Sequence, residues 1–135
     1  MDLLLETIKK EVKTLNKNKI RLQAIGDLDS LPKRAQEKLQ SAIDETAAND
    51  HMTLVLALSY SAKWEMINAV KSIASKLKEG SIGEHEINEE LIDNSLSTAG
   101  IPNPELMIRT SGEHRISNFL LWQLAYAELY FTPKL

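Results

Sequence analysis

Midway along the chain lies an almost unbroken apolar run, Met52-Thr53-Leu54-Val55-Leu56-Ala57-Leu58. A strand with one wet face alternates apolar and polar residues. A run without alternation reads as a strand buried on both faces, as in a parallel sheet. The flanking segments agree with this. Leu4, Ile8, Val12 and Leu15 recur at helical spacing with Lys and Glu between them. Ile20-Arg21-Leu22-Gln23-Ala24-Ile25 alternates as a strand, and Gly26-Asp27-Leu28-Asp29 is a turn. Ser30 and Pro32 open a second helix, Ser as N-cap and Pro in the first turn. Its apolar face is Ala35, Leu39, Ala42, Ile43 and Thr46.

After the apolar run, Ser59-Tyr60-Ser61-Ala62 forms an exit loop. A third helix then carries Met66, Ile67, Val70, Ile73, Ala74 and Leu77 on one side and ends at Gly80. A short helix is predicted from residue 89 to about residue 97, capped by Asn88. Residues 106–108 read as another buried strand. Residues 127–131 read as a fourth, with Leu129 and Phe131 on one face and Glu128 and Tyr130 on the other. Alternation of strand and helix predicts an α/β fold, a mostly parallel sheet flanked by helices in one domain spanning residues 1–135. Ligands of such sheets collect beyond the carboxyl ends of the strands. Three loops meet that criterion: Gly26-Asp27, Ser59-Tyr60-Ser61, and the loop that begins at Arg109.

That last loop carries the densest chemistry. Arg109-Thr110-Ser111-Gly112-Glu113-His114-Arg115-Ile116-Ser117-Asn118 holds two arginines, three hydroxyls, a glycine and a carboxylate. Arg presents a planar, permanently charged fork that matches phosphate oxygens. Ser and Thr add short donors, and Gly lets backbone N–H groups approach an anion closely. An anion site is the direct reading, and a diphosphate suits two arginines. The plainer reading is a solvated ion-pair cluster in which Glu113 or Glu128 neutralises Arg109 and Arg115. Ser117 has a plain alternative too, as a helix cap.

Composition excludes several other classes. The chain has 135 residues, 43% of them hydrophobic and 26% charged, with a net charge of −3. No long basic face appears, so nucleic acid is not an expected partner. Cysteine is absent, which removes disulfides and thiolate metal sites. His51, His85 and His114 have no metal-ligand spacing, and His114 is assigned no catalytic role. Trp64 and Trp122 follow apolar patterns and read as core or interface. No signal peptide and no run of membrane-spanning length is evident, so a cytoplasmic location is expected.

The chain resembles the cis-prenyltransferases, the family of the undecaprenyl diphosphate synthases. The matching segments run in order: Ile20 to Ile25 with Gly26-Asp27 and then Leu31-Pro32; Ala57-Leu58-Ser59-Tyr60-Ser61-Ala62-Lys63-Trp64-Glu65; Pro104-Glu105-Leu106-Met107-Ile108-Arg109-Thr110-Ser111-Gly112-Glu113; Arg115-Ile116-Ser117-Asn118-Phe119-Leu120-Leu121-Trp122-Gln123; and Ala125-Tyr126-Ala127-Glu128-Leu129-Tyr130-Phe131. The resemblance implies cis-condensation of isopentenyl diphosphate onto an allylic, farnesyl-type diphosphate. The product would be undecaprenyl diphosphate, for the cell-wall lipid carrier. It further implies that Arg109, Arg115, Ile116 and Ser117 bind the diphosphate of isopentenyl diphosphate. Glu128 would hold Mg²⁺, in the family from the neighbouring subunit of a homodimer. The chemistry agrees, because Mg²⁺ prefers hard oxygen ligands such as carboxylate and phosphate. Peripheral membrane contact during product release also follows from the resemblance.

The family pattern is incomplete here. Its catalytic aspartate lies in a block reading roughly Asp-Gly-Asn-Gly-Arg-Trp-Ala, and no segment of this sequence resembles it. Met1 falls at the helix that follows that block, and Leu135 precedes the common Trp-Pro-Asp ending. The chain is therefore expected to be the C-terminal portion of an incomplete cis-prenyltransferase fold, without catalytic residues and inactive in prenyl transfer alone. Asp27 and Asp29 match another loop and do not replace the missing aspartate. The alternative is a non-catalytic accessory subunit that donates a diphosphate-binding loop to a complete partner.

Overall fold

The computed structural model describes residues 2–135, with side chains from residue 7 onward, residue 9 excepted. The chain divides into two units, Met1–Ser59 and Tyr60–Leu135.

In the first unit, helix α1 (Asp2–Lys17) leads to strand β1 (Ile20–Ile25), helix α2 (Lys33–Thr46) and strand β2 (Met52–Ala57). The strands pair in parallel, from Ile20 opposite Met52 to Ile25 opposite Ala57, so α2 is the crossover. Ile8 and Val12 of α1 pack with Leu22, Leu31, Ala35, Leu39 and Ala42 in one buried cluster. The positions on α1, β1 and α2 follow the predicted helix and strand periods, and Leu31 joins them from the turn before α2. Leu4, the first residue of the predicted α1 face, lies outside the residues whose side chains are described. Thr46 is fully buried. Its hydroxyl donates to the Ala42 carbonyl (2.9 Å) and accepts from the Leu22 amide (3.0 Å), stitching the end of α2 to β1.

Ser30 is not the cap of α2. The helix starts at Lys33 behind an extended Pro32 (φ −54°, ψ 140°) with no side-chain cap. The Ser30 hydroxyl instead donates to the Asp27 carbonyl (2.6 Å), closing a short 3₁₀ turn over Leu28–Ser30. Gln36 reaches back to donate to the Leu31 carbonyl (2.7 Å).

The second unit contains helix α3 (Ala62–Lys78), the short helix α4 (Glu89–Asp93), and strands β3 (Leu106–Arg109) and β4 (Glu128–Phe131). Asn88 caps α4 as predicted, its side chain accepting from the Leu91 amide (2.9 Å), but the helix ends at Asp93. β3 and β4 pair in parallel, with Leu106 opposite Glu128 and Arg109 opposite Phe131.

Two burial expectations fail for a common reason. β2 and β3 were expected to be covered on both faces, yet Met52, Leu54, Leu106 and Ile108 are exposed. Each exposed pair shares one strand face, and the hydrogen-bonded neighbour strand lies in the sheet plane and covers neither face. On β3 only Met107 is buried, so one face lacks a covering layer. α3 is also rotated relative to its predicted face. It buries Ala62, Glu65, Ala69 and Ile73, while Met66, Ile67 and Val70 are exposed. Small alanines permit close packing, and the Glu65 carboxylate finds its partners inside. Met66, Val70 and Leu77 instead line an apolar groove of about 310 Å³ with Ile87, Leu96 and Trp122.

Candidate functional site

β3 delivers Arg109 to the start of the loop that sequence analysis singled out. Its Nη1 donates to the Arg115 carbonyl (2.6 Å) and to the Ser117 hydroxyl (2.7 Å). One guanidinium thus folds residues 109–117 into a turn around itself. Nε and Nη2 of Arg109 have no hydrogen-bond partner among the described residues. Arg115 is ion-paired with Glu113 (3.1 Å), and their side chains are 70% and 44% exposed. An exposed pair of this kind is worth at most about 1 kcal/mol and gives way readily to a better anion.

The loop backbone is unusual. Ser111, Gly112, Ser117 and Asn118 all have φ between 56° and 69°, and Leu120 has φ 45°. Side-chain-bearing residues in this region cost of order 1–3 kcal/mol each, and such residues cluster at ligand clamps. Gly112 is chosen for conformation rather than space, because an added Cβ would meet nothing closer than 3.8 Å. The Ser111 and Gly112 amides donate to the Lys134 and Thr132 carbonyls (2.9 Å each). They are therefore not the anion donors that the glycine led us to expect. The amides of residues 113–118, including that of Ile116, have no hydrogen-bond partner among the described residues. Ile116 itself is half-buried and brings only its backbone to a polar ligand.

A family model described as "Putative undecaprenyl diphosphate synthase" matches residues 1–135. The chain belongs to this family. It is 52% identical over 135 residues to an isoprenyl transferase of Porphyromonas gingivalis, covering 100% of this chain and 53% of that protein. It is 46% identical over 134 residues to a ditrans,polycis-undecaprenyl-diphosphate synthase ((2E,6E)-farnesyl-diphosphate specific) of Vibrio parahaemolyticus, covering 99% and 53%. Among solved structures it is similar to lavandulyl diphosphate synthase from Lavandula x intermedia in complex with dimethylallyl diphosphate. That match has a TM-score of 0.89 and 34% identity, over 99% of this chain and 60% of that one. The chain spans about half the length of the relatives it matches.

Not every residue that the cis-prenyltransferase resemblance implicates is brought together. Glu128 is exposed and lies opposite Leu106, at the far end of the strand pair from Arg109. Three residues along a strand separate their levels by roughly 10 Å. Alternation also places Glu128 with Leu106, Ile108 and Tyr130 on one face, and Arg109 with Met107, Leu129 and Phe131 on the other. The described residues contain no group of three or more His, Cys, Asp or Glu able to hold a metal ion. Glu128 supplies one hard oxygen donor that suits Mg²⁺ only alongside oxygens from elsewhere. His114 packs against Phe131, with ring centroids 5.5 Å apart. No helix among the described residues is long and apolar enough to cross a membrane.

Sequence reasoning missed Glu65, Gln123 and the role of Asn118. Glu65 is 2% exposed and has no cationic partner among the described residues. Its carboxylate accepts from the Tyr60 hydroxyl, the Ser97 hydroxyl, the Ser97 amide (2.9 Å) and Gln123 Nε2 (3.0 Å). Gln123 Nε2 also donates to the Thr98 hydroxyl (2.9 Å). Burial, reinforced by the hydrogen bond to Glu65 and by its charge, pushes the Tyr60 hydroxyl well above the ordinary tyrosine range. The available signal was a glutamate on the inner stripe of α3, at the spacing of Ala62 and Ala69. Trp122, read as core or interface, is half-buried and donates to Asp93 (2.7 Å).

Proposed function

We propose that this chain carries the isopentenyl diphosphate site of a cis-prenyltransferase, as a single-domain C-terminal portion of that fold. The enzyme joins isopentenyl diphosphate to an allylic, farnesyl-type diphosphate and makes undecaprenyl diphosphate for cell-wall lipid carrier synthesis in the cytoplasm. One observation supports this above the others: Arg109 binds Arg115 and Ser117 so that exposed Arg115, the Ser117 hydroxyl and the amides of residues 113–117, unpartnered among the described residues, belong to one turn. Charge-assisted donors of this kind favour a polyanionic head group.

In this reading the diphosphate of isopentenyl diphosphate draws Arg115 away from Glu113. It takes the free N–H groups of Arg109 and hydrogen bonds with Ser117 and the Ile116 amide. Holding the head group aims the five-carbon tail. When bound, Mg²⁺ neutralises phosphate charge, and Glu128 supplies one of its oxygen ligands. Because Glu128 lies on the other strand face from Arg109, its carboxylate serves the site of the second subunit in a homodimer. The exposed Leu106, Ile108 and Tyr130 beside it suit burial against a partner. The completed enzyme touches the membrane only peripherally, to release its product. No segment of the sequence resembles the family's aspartate block, so the chain as it stands transfers no prenyl group.

Calorimetric titration with isopentenyl diphosphate tests the site. Saturable binding, lost with Arg109→Ala and Arg115→Ala, is expected; isopentenol, which lacks the diphosphate, does not bind. Absence of binding, or equal binding by the variants, contradicts the reading. Incubation with farnesyl diphosphate, labelled isopentenyl diphosphate and Mg²⁺ yields no longer product from this chain alone.

A further inference from the structure

Asn118 makes three hydrogen bonds to a segment more than fifty residues away in sequence. Its carbonyl accepts from the Ala62 amide (3.0 Å). Its Oδ1 accepts from the Lys63 amide (3.0 Å), and its Nδ2 donates to the Ser61 hydroxyl (2.7 Å). The Ser61 hydroxyl in turn accepts from the Trp64 amide (3.3 Å) as N-cap of α3. The first amides of a helix have no partner within it and commonly bind anions. Here Ala62, Lys63 and Trp64 are already taken, two by Asn118 and one by the serine that Asn118 holds. The start of α3 is thus an anchor for the loop rather than an anion site.

The neighbouring residue in the loop is Ser117, whose hydroxyl accepts from Arg109 (2.7 Å). Both residues are left-handed, with φ 56° at Ser117 and 62° at Asn118. Asn tolerates this region better than most residues, and Ser does so less well. Such a conformation persists only where surrounding contacts over-determine it. Asn118 supplies those contacts, and Ser117 contributes its link to Arg109.

We propose that Asn118, clamped to Ser61, Ala62 and Lys63, is a positioning residue that fixes Ser117, and through it Arg109, in the geometry that receives isopentenyl diphosphate. This rests on the diphosphate reading above. The test is a double-mutant cycle on the full chain, read as the dissociation constant for isopentenyl diphosphate by calorimetry. Asn118→Gly preserves the left-handed backbone and removes only the side chain. It weakens binding at least about fivefold, and Ser117→Ala adds little to it, because coupled residues are non-additive. Ser61→Ala leaves the loop sequence untouched and also weakens binding; Ser61→Thr, which keeps the hydroxyl, restores it.

Additive effects of Asn118→Gly and Ser117→Ala, or wild-type affinity in both Asn118→Gly and Ser61→Ala, would overturn the inference. If Asn118→Gly does not fold, the Ser61→Ala and Ser61→Thr pair decides the matter alone. No binding by the wild-type chain refutes the site itself. Wild-type binding that Arg109→Ala abolishes and the Asn118 and Ser61 variants leave unchanged refutes only the positioning role.

Discussion

Each of the two units is stabilised internally by different means. In the first, Ile8, Val12, Leu22, Leu31, Ala35, Leu39 and Ala42 form an apolar core between helices and a parallel strand pair. Thr46, the one fully buried polar side chain among its described residues, is satisfied by neighbouring backbone. In the second, the most connected buried side chain is the Glu65 carboxylate, and left-handed residues crowd the segment between β3 and β4. An apolar core is tolerant of sequence detail, since volume and pattern mostly suffice. A buried polar network is intolerant, because each lost partner strands another. The unit with the specific polar contacts is the one that carries the candidate site.

The largest expected effect lies in the first unit. Leu39→Ala, at a position 3% exposed, lowers unfolding free energy by about 3–4 kcal/mol through lost burial and a residual cavity. Denaturant melts measure this, and isopentenyl diphosphate binding by the folded fraction stays unchanged. Glu65→Ala comes next, at about 2–3 kcal/mol, because half-buried Tyr60 and buried Gln123 lose their shared acceptor and a cavity opens behind α3, although Gln123 keeps its bond to Thr98. Leu in place of Ala recovers nothing, whereas Gln recovers part; equal losses for Ala and Gln would erase the contrast between the units. Arg109→Ala costs diphosphate binding more than about 2 kcal/mol, over thirtyfold, enough to remove saturable binding from the titration, with a small change in melting temperature.

Tyr60→Phe removes one hydrogen bond, about 1 kcal/mol. Its pH dependence is the sharper reading. The folded state holds the Tyr60 hydroxyl protonated above its ordinary range, so its stabilisation is fully present below about pH 10 and is lost as pH rises beyond it. The melting-temperature advantage of wild type over Tyr60→Phe is therefore constant from pH 7 to 9 and shrinks above about pH 10. Smallest of all, Glu113→Gln changes stability by less than about 0.5 kcal/mol, because its partner Arg115 is exposed.

What was legible in the sequence follows the same division. In the first unit the helical core was readable because burial there obeys the helix period, with Ala35, Leu39 and Ala42 buried as the spacing requires, whereas the apolar run of β2 misled, since Met52 and Leu54 are exposed. Ser30 misled because a serine before a proline also closes a local turn, and its hydroxyl went to the Asp27 carbonyl. In the second unit, hydrophobicity ranked Met66 and Val70 above Glu65 as inner residues of α3, and the structure reverses that order. No periodicity reports that a carboxylate will find four donors from three other segments. Arg109, Arg115 and Ser117 were legible from residue chemistry, and the fold brings Arg109 to the other two. That Glu128 sits on the opposite strand face depends on the β3–β4 register, which residue spacing alone does not set.

The central claim is that the turn of residues 109–118 receives a diphosphate through side chains and unpaired amides together. Backbone amide NMR of the full chain during titration with isopentenyl diphosphate tests it most directly. Saturable shifts concentrated at residues 113–118, and abolished by Arg109→Ala, are expected. Amides that stay still there while others respond, or that move equally in the variant, would contradict it.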